Sequence, residues 1–385
     1  MIVFTFAILI MAQSFRPPAF PLITHDPYLN IWSTTDHPAD SWPSHWTGRP
    51  HAMSCLIRID GKPYRLMGLQ PSNVDKLPLR ETVLTPTATE YIFEAQDIEV
   101  RMRFLSPLLP NRMEVLSRPA SYISWDVRST DGKSRAVEIY FDMTAEAAVD
   151  DVSQVVDLQI QKHKGLSIGC AKTADQKVLG KSGDDRRIDW GTLFVAAPAA
   201  SKAGVARAEK ARNAFASGEK ATLSDSHYGA CNDSWPVLTY QFELGAVDKV
   251  ERRHVVIAYD DIQSIQFLGN NLEGFWRTNE RAGLELPVLA ERDYTMLTRD
   301  AADFDVRLMA DLEKYGSKQF ERVATLAYRA SISGSKLVKD VKGNALFLPK
   351  ENTSNGCIAT VDVIYPMMPL YLFMDVELAK ALLGG

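Results

Sequence analysis

The strongest constraint on this chain is a change of spacing along it. Up to about residue 260, short apolar runs alternate with polar residues and end at turn dipeptides; beyond Asp300, apolar residues recur three and four apart. Ile98, Val100, Met102 and Phe104 alternate with Glu99, Arg101 and Arg103. That period of two gives a strand one core face and one wet face. Residues 55–60 and 64–67 flank Asp60-Gly61, and residues 122–128 and 136–142 flank Asp131-Gly132. Each pair predicts a hairpin, because glycine takes positive φ at little cost. Similar runs lie at 90–94, 192–196, 237–244 and 254–259. With strands beginning near Met53, many short antiparallel strands predict a β-sandwich within a β-rich multidomain chain.

The helical signals come later. Residues 203–216, rich in Ala, Lys and Arg, predict a helix, as do residues 262–280. Phe304, Leu308 and Leu312 form one stripe; Phe320, Ala324, Ala327 and Ile332 form a second. Tyr315-Gly316-Ser317 separates them, so the pair reads as an αα-hairpin with Gly316 as cap. Residues 349–369 read as extended and looped, and a last helix runs over 375–383. Apolar helix faces need another layer. These helices therefore either dock on the sheets or open a larger helical array. The expected division is a signal-like segment (1–14), an ordered segment with the first hairpin (15–80), a sandwich (81–295) and the start of a helical domain (296–385).

With 46% hydrophobic and 24% charged residues, the chain is neither wholly disordered nor a multi-span membrane protein. Lys and Arg number 43 against 48 Asp and Glu, a net charge of −5, so no nucleic-acid partner is expected. Residues 2–11 are an apolar run, too short for a span of ~20 residues. With Ala12 at a cleavage position they fit a signal peptide and an extracytoplasmic location, although no Lys or Arg precedes them. The other reading is a buried strand. Cys55, Cys170, Cys231 and Cys357 lack zinc spacing. They allow two disulfides in three connectivities, or free thiols, which a chain this long favours.

The best catalytic candidates are Glu351 and Asp362, eleven residues apart. Two carboxylates serve as acid and base when burial separates their pKa values; the alternative is that they cap helices. Lys350, Asn352, Asn355, Trp32 and Trp46 are the candidate substrate contacts, the tryptophans equally readable as core. His25, His37, His45 and His51 lie near Asp26, Asp36 and Asp40. They lack HxH or HExxH spacing, so no metal is expected, and no cofactor motif is present. Ser217–Lys220 and Ser333–Lys336 each match Ser-x-x-Lys, a two-residue coincidence without a Lys-Thr-Gly partner. Gly180-Lys181-Ser182 lacks the first glycine of a phosphate loop. Asp150-Asp151 and Asp184-Asp185 read as solvated turns, and residues 208–212 as a solvated helix face.

Three stretches carry a family resemblance. They are Arg16-Pro-Pro-Ala-Phe-Pro-Leu-Ile-Thr-His-Asp-Pro-Tyr-Leu-Asn-Ile-Trp-Ser with His45-Trp-Thr-Gly; Ala258-Tyr-Asp-Asp-Ile-Gln-Ser-Ile-Gln-Phe with Phe275-Trp-Arg; and Lys350-Glu-Asn-Thr-Ser-Asn-Gly-Cys-Ile-Ala-Thr-Val-Asp-Val-Ile-Tyr-Pro. Together they resemble the glutaminase A family. The resemblance implies a β-sandwich followed by an α/α toroid of the six-hairpin glycosidase type, of which this chain would hold the first hairpin or so. It implies an exported hydrolase acting on a small molecule, L-glutamine, giving glutamate and ammonia. Amide hydrolysis needs an activated water or nucleophile, oxyanion donors and an acid for the leaving ammonia. A glycan substrate, cleaved between two carboxyls, and a non-catalytic binding module are the alternatives, because a fold does not fix chemistry.

Overall fold

The computed structural model describes residues 16–198, 200 and 202–384; the signal-like segment 1–14 lies outside the described residues. In chain order the strands are β1 (Phe20–Thr24), β2 (Asn30–Ser33), β3 (Met53–Ile59), β4 (Lys62–Met67), β5 (Leu79–Leu84), β6 (Ala88–Ala95), β7 (Ile98–Leu105), β8 (Ala120–Ser129), β9 (Arg135–Thr144), β10 (Val155–His163), β11 (Leu166–Thr173), β12 (Thr192–Ala197), β13 (Lys202–Arg207), β14 (Ser226–Ala230), β15 (Pro236–Val247), β16 (Glu251–Asp260), β17 (Ile265–Phe267), β18 (Asn270–Leu272), β19 (Ser335–Lys339) and β20 (Ala345–Pro349). The helices are α1 (Met113–Ser117), α2 (Ala208–Ser217), α3 (Glu285–Tyr315), α4 (Lys318–Ser333), α5 (Val361–Met374) and α6 (Val376–Leu383).

Two antiparallel sheets form the expected sandwich. One has nine strands in the order β14-β10-β11-β12-β16-β8-β7-β6-β5, the other five in the order β13-β15-β9-β3-β4. Their inner faces meet in a large core. Trp125 of β8 packs on Phe141 of β9 and Phe242 of β15, with ring centroids 5.7 and 5.9 Å apart. The Gly169 N–H of β11 donates to the Tyr240 hydroxyl of β15 at 2.9 Å, tying the sheets across the core. Ile98, Val100, Met102 and Phe104 are all buried, as their alternation predicts.

The outer face of the large sheet is also apolar, which calls for a third layer. That layer is α3, whose Leu286, Ala290, Leu297 and Ala301 pack on Leu105, Tyr122, Phe194 and Val256. The Tyr122 hydroxyl donates to the Ala290 carbonyl at 2.7 Å. Helix α4 follows after two residues, capped by Ser317, whose hydroxyl accepts from the Phe320 N–H. Its Arg329 is fully buried and donates to the Thr24 and Thr89 hydroxyls at 3.1 and 2.9 Å. Helices α5 and α6 share a separate core with Leu337 and Phe347 of the β19–β20 hairpin.

Several local expectations are corrected. Pairing begins before Met53, in the β1–β2 hairpin. The Asp60-Gly61 hairpin forms, with Ile59 opposite Lys62. At Asp131-Gly132 the chain instead crosses between sheets, since β8 pairs with β7 and β16 while β9 pairs with β3 and β15. Residues 262–280 hold the small β17–β18 hairpin and no helix, and in 203–216 the helix starts only at Ala208. Residues 350–360 are looped as expected, but from Val361 the chain enters α5, which carries Pro366 and Pro369 inside it. Two features read as solvated each have one buried charge, Arg212 and Asp150, while Asp151, Asp184, Glu209 and Lys210 are exposed. Arg212 of α2 grips Asp142 of β9 at 2.7 and 2.8 Å. Asp150 holds Lys181, Arg186 and Arg187 at 3.0, 3.0 and 3.2 Å. No two of the four cysteines are bonded.

Candidate functional site

Three segments far apart in sequence meet around Tyr28, in the turn between β1 and β2. The turn is set by Asp26, whose Oδ1 accepts from the N–H groups of Tyr28 and Leu29, both at 2.9 Å. Its Oδ2 lies 2.5 Å from the ammonium of Lys336 on β19. The same ammonium is 2.8 Å from Asp261, which follows β16. All three groups are almost wholly buried. Burial would push the Asp26 carboxyl up, but the Lys336 charge draws it below its usual value. Burial raises Asp261, and the two carboxylates raise Lys336 against its own burial. Lys336 sits 5.3 Å from the Tyr28 ring centroid, and the Tyr28 hydroxyl donates to the Ser264 carbonyl at 2.5 Å.

Over this base lies the segment that follows β20. The Lys350 ammonium is 5.7 Å from the same Tyr28 ring. It donates to the Glu351 carbonyl at 3.3 Å, and no carboxylate pairs with it among the described residues. Burial therefore pushes its pKa down. The Asn352 side chain donates to the Pro27 carbonyl at 2.7 Å, while its Oδ1 is buried without a partner. Glu351 accepts from the hydroxyls of Ser354 and Thr360. Lys350, Glu351 and Asn352 line a groove of about 420 Å³ together with Trp46, Gly334, Val363 and Met367.

The other candidates fall around or outside this groove. Trp32 stacks on Trp46 at 6.3 Å and is not in the lining. Asn355 is exposed, its side chain accepting from the Cys357 N–H. Asp362 is exposed in the first turn of α5, where it favours the helix dipole. His25, His45 and His51 are buried close to the turn. Among the described residues no group of three or more His, Cys, Asp or Glu side chains is placed to hold a metal. Sequence reasoning missed Tyr28 and Asp261 and dismissed Lys336. The available signal was that Asp26, Tyr28 and Asp261 lie in stretches already singled out, which converge here with the Lys350 segment.

Gly191, at φ +81°, lets the Trp190 loop pass against Asp260 and Asp261. A Cβ there would overlap the Asp260 carbonyl oxygen and sit 2.9 Å from the Asp261 Cα. Gly191→Ala is expected to lower stability by about 2 kcal/mol, read as a shift of the urea midpoint.

Comparison with known proteins agrees with this architecture. Residues 87–311 match a family described as a domain of unknown function (DUF5127), and residues 8–82 match another such domain (DUF4964). Residues 317–385 match the glutaminase A six helical-hairpin domain. Glutaminase A of Aspergillus oryzae is 27% identical over 96% of this chain and 55% of its own length. A probable glutaminase of Arthroderma benhamiae is 25% identical over 94% of this chain and 46% of its own. The chain thus spans about half the length of the curated relatives it matches. A galactose mutarotase related enzyme of Lactobacillus acidophilus covers 63% of this chain at 7% identity, with a TM-score of 0.28, too low to bear on the fold. The match over 87–311 takes in more than half of the chain, so the protein belongs to that domain family, and the six-hairpin match over 317–385 with the two glutaminase relatives joins it to the glutaminase A family.

Proposed function

We propose that the protein is an exported glutaminase-type hydrolase, with substrate held in the groove above Tyr28. The observation that carries this reading is a desolvated ammonium, without a carboxylate partner among the described residues, lining the same groove as the carboxylate of the next residue. Lys350 would hold the carboxylate of an amino-acid substrate, since a poorly hydrated cation gains most from an incoming anion. The unpartnered Oδ1 of Asn352 would accept from the substrate. Glu351 would take a proton from water as the water oxygen bonds to the amide carbon. The C–N bond then breaks, and that proton leaves with the nitrogen as ammonia. Asp362 is the second carboxylate of the proposal, although it stands outside the groove lining. The exposed Val361, Tyr365, Leu372 and Phe373 of α5 would be covered by further hairpins of a six-hairpin domain.

The test is ammonia release from L-glutamine by the full natural chain, run beside an oligosaccharide hydrolysis screen. Glu351→Gln is expected to lower kcat by at least about tenfold with the fold intact. Asp362→Asn is expected to do the same; a near-normal rate would remove it from the mechanism. Sugar release without ammonia release would transfer the groove to carbohydrate chemistry.

A further inference from the structure

A second cleft, of about 400 Å³, lies on the sandwich and shares no lining residue with the groove. It sits between the 3-10 turn Ala145–Ala148, the start of α2 and the turn leading into β15. Glu146 forms its floor and is only 5% exposed. Its Oε2 accepts from the Ala52 N–H at 3.0 Å and the Thr144 hydroxyl at 2.6 Å. Its Oε1 receives no hydrogen bond among the described residues, so one acceptor is left for a ligand. Burial also raises the Glu146 pKa.

The walls are fixed in advance. The Arg212 guanidinium is held by Asp142, donates to the Gln70 Oε1 at 2.8 Å and lies 4.9 Å from the Trp42 ring centroid. Arginine can only donate, so the amide oxygen of Gln70 faces it and the amide NH₂ remains free to donate elsewhere. At the rim Trp235 is 40% exposed. Both Ser234 and Trp235 have positive φ, 63° and 48°. Side-chain-bearing residues seldom adopt that backbone, and such strain gathers at ligand sites.

The lining charges choose among ligands. Arg212 is neutralised by Asp142, and Arg207 and Lys210 are matched by Glu146 and Glu209. A balanced cleft with an exposed indole, a free amide and a free carboxylate oxygen suits a molecule with one apolar face and a rim of hydroxyls. We propose that this cleft binds a neutral carbohydrate, a sugar ring lying on Trp235 with its hydroxyls bonded to Glu146 and Gln70. The site is independent of the glutaminase reading.

The test is isothermal titration of the chain with maltose, cellobiose, lactose and N,N′-diacetylchitobiose, each to about 10 mM. At least one is expected to bind in a 1:1 ratio. Trp235→Ala, at an exposed position, is expected to weaken that binding by about tenfold or more without lowering the melting temperature. Glu146→Gln, which keeps an acceptor for Ala52 and Thr144, is expected to weaken it as well. Glu351→Gln is expected to leave it unchanged, which separates this cleft from the groove. Absence of binding by all four sugars would overturn the proposal. So would binding that Trp235→Ala leaves intact, or binding of inorganic phosphate alone.

Discussion

Lys336→Met is expected to lower the free energy of unfolding by about 3–5 kcal/mol, because it strands two buried carboxylates. Asp26 and Asp261 both bond the Lys336 ammonium, and neither is more than 3% exposed. Without the cation, each must be protonated or draw in water, and the Asp26 turn that places Tyr28 loses its anchor. The measurement is urea denaturation at pH 7. Adding Asp26→Asn and Asp261→Asn to Lys336→Met should return most of the loss, since the stranded charges are then gone. A single-variant loss below about 1 kcal/mol would contradict the account, because that is the scale of an exposed pair.

Acid is expected to unfold the same region at unusually mild pH. Burial pushes His25 down to about 4, offset in part by Asp26. Burial likewise pushes His45 to about 4 against the bond to the Pro27 carbonyl, and His51 goes well below 6.5. An imidazole that charges only below its unfolded value binds fewer protons when folded. Stability is therefore complete above pH 6.5 and is lost as pH falls toward 4, by on the order of 3 kcal/mol for each of His25 and His45. Urea midpoints at pH 7, 5.5 and 4.5 would trace this limb. His25→Leu removes this imidazole and gives up only its contact with the Ser117 backbone. It should visibly flatten the limb; an unchanged slope would count against His25.

What the sequence disclosed follows from the range of the forces involved. The alternation in β7 and the Asp60-Gly61 turn are set by near neighbours, and both are realised. The Asp131-Gly132 turn has the same local chemistry. Its flanking strands join different sheets because the core decides which neighbours Trp125 and Phe141 face. The stripe expected for α4 holds at Ile332, which is buried, but not at its start. Phe320 is half exposed, while Glu321, Thr325, Tyr328 and Arg329 are buried, so polar side chains share the inner face with Ile332. Residues 349–369 read as extended and looped, yet from Val361 a helix runs through both Pro366 and Pro369. At the site, Lys350, Glu351, Asn352 and Trp46 were legible because they fall in distinctive stretches. Lys336 was not, since its partner Asp26 lies 310 residues away and no spacing rule reaches that far.

The lysine between two aspartates has a bearing on how such proteins can be recombined. Asp26, Asp261 and Lys336 each belong to a different one of the three matched segments, 8–82, 87–311 and 317–385. A chimaera that took its helical part from a homologue would have to import a cation at the position of Lys336, or exchange both acidic partners with it. The seams between the segments are therefore poor places to cut, and this lysine is the first residue to match when parts are interchanged.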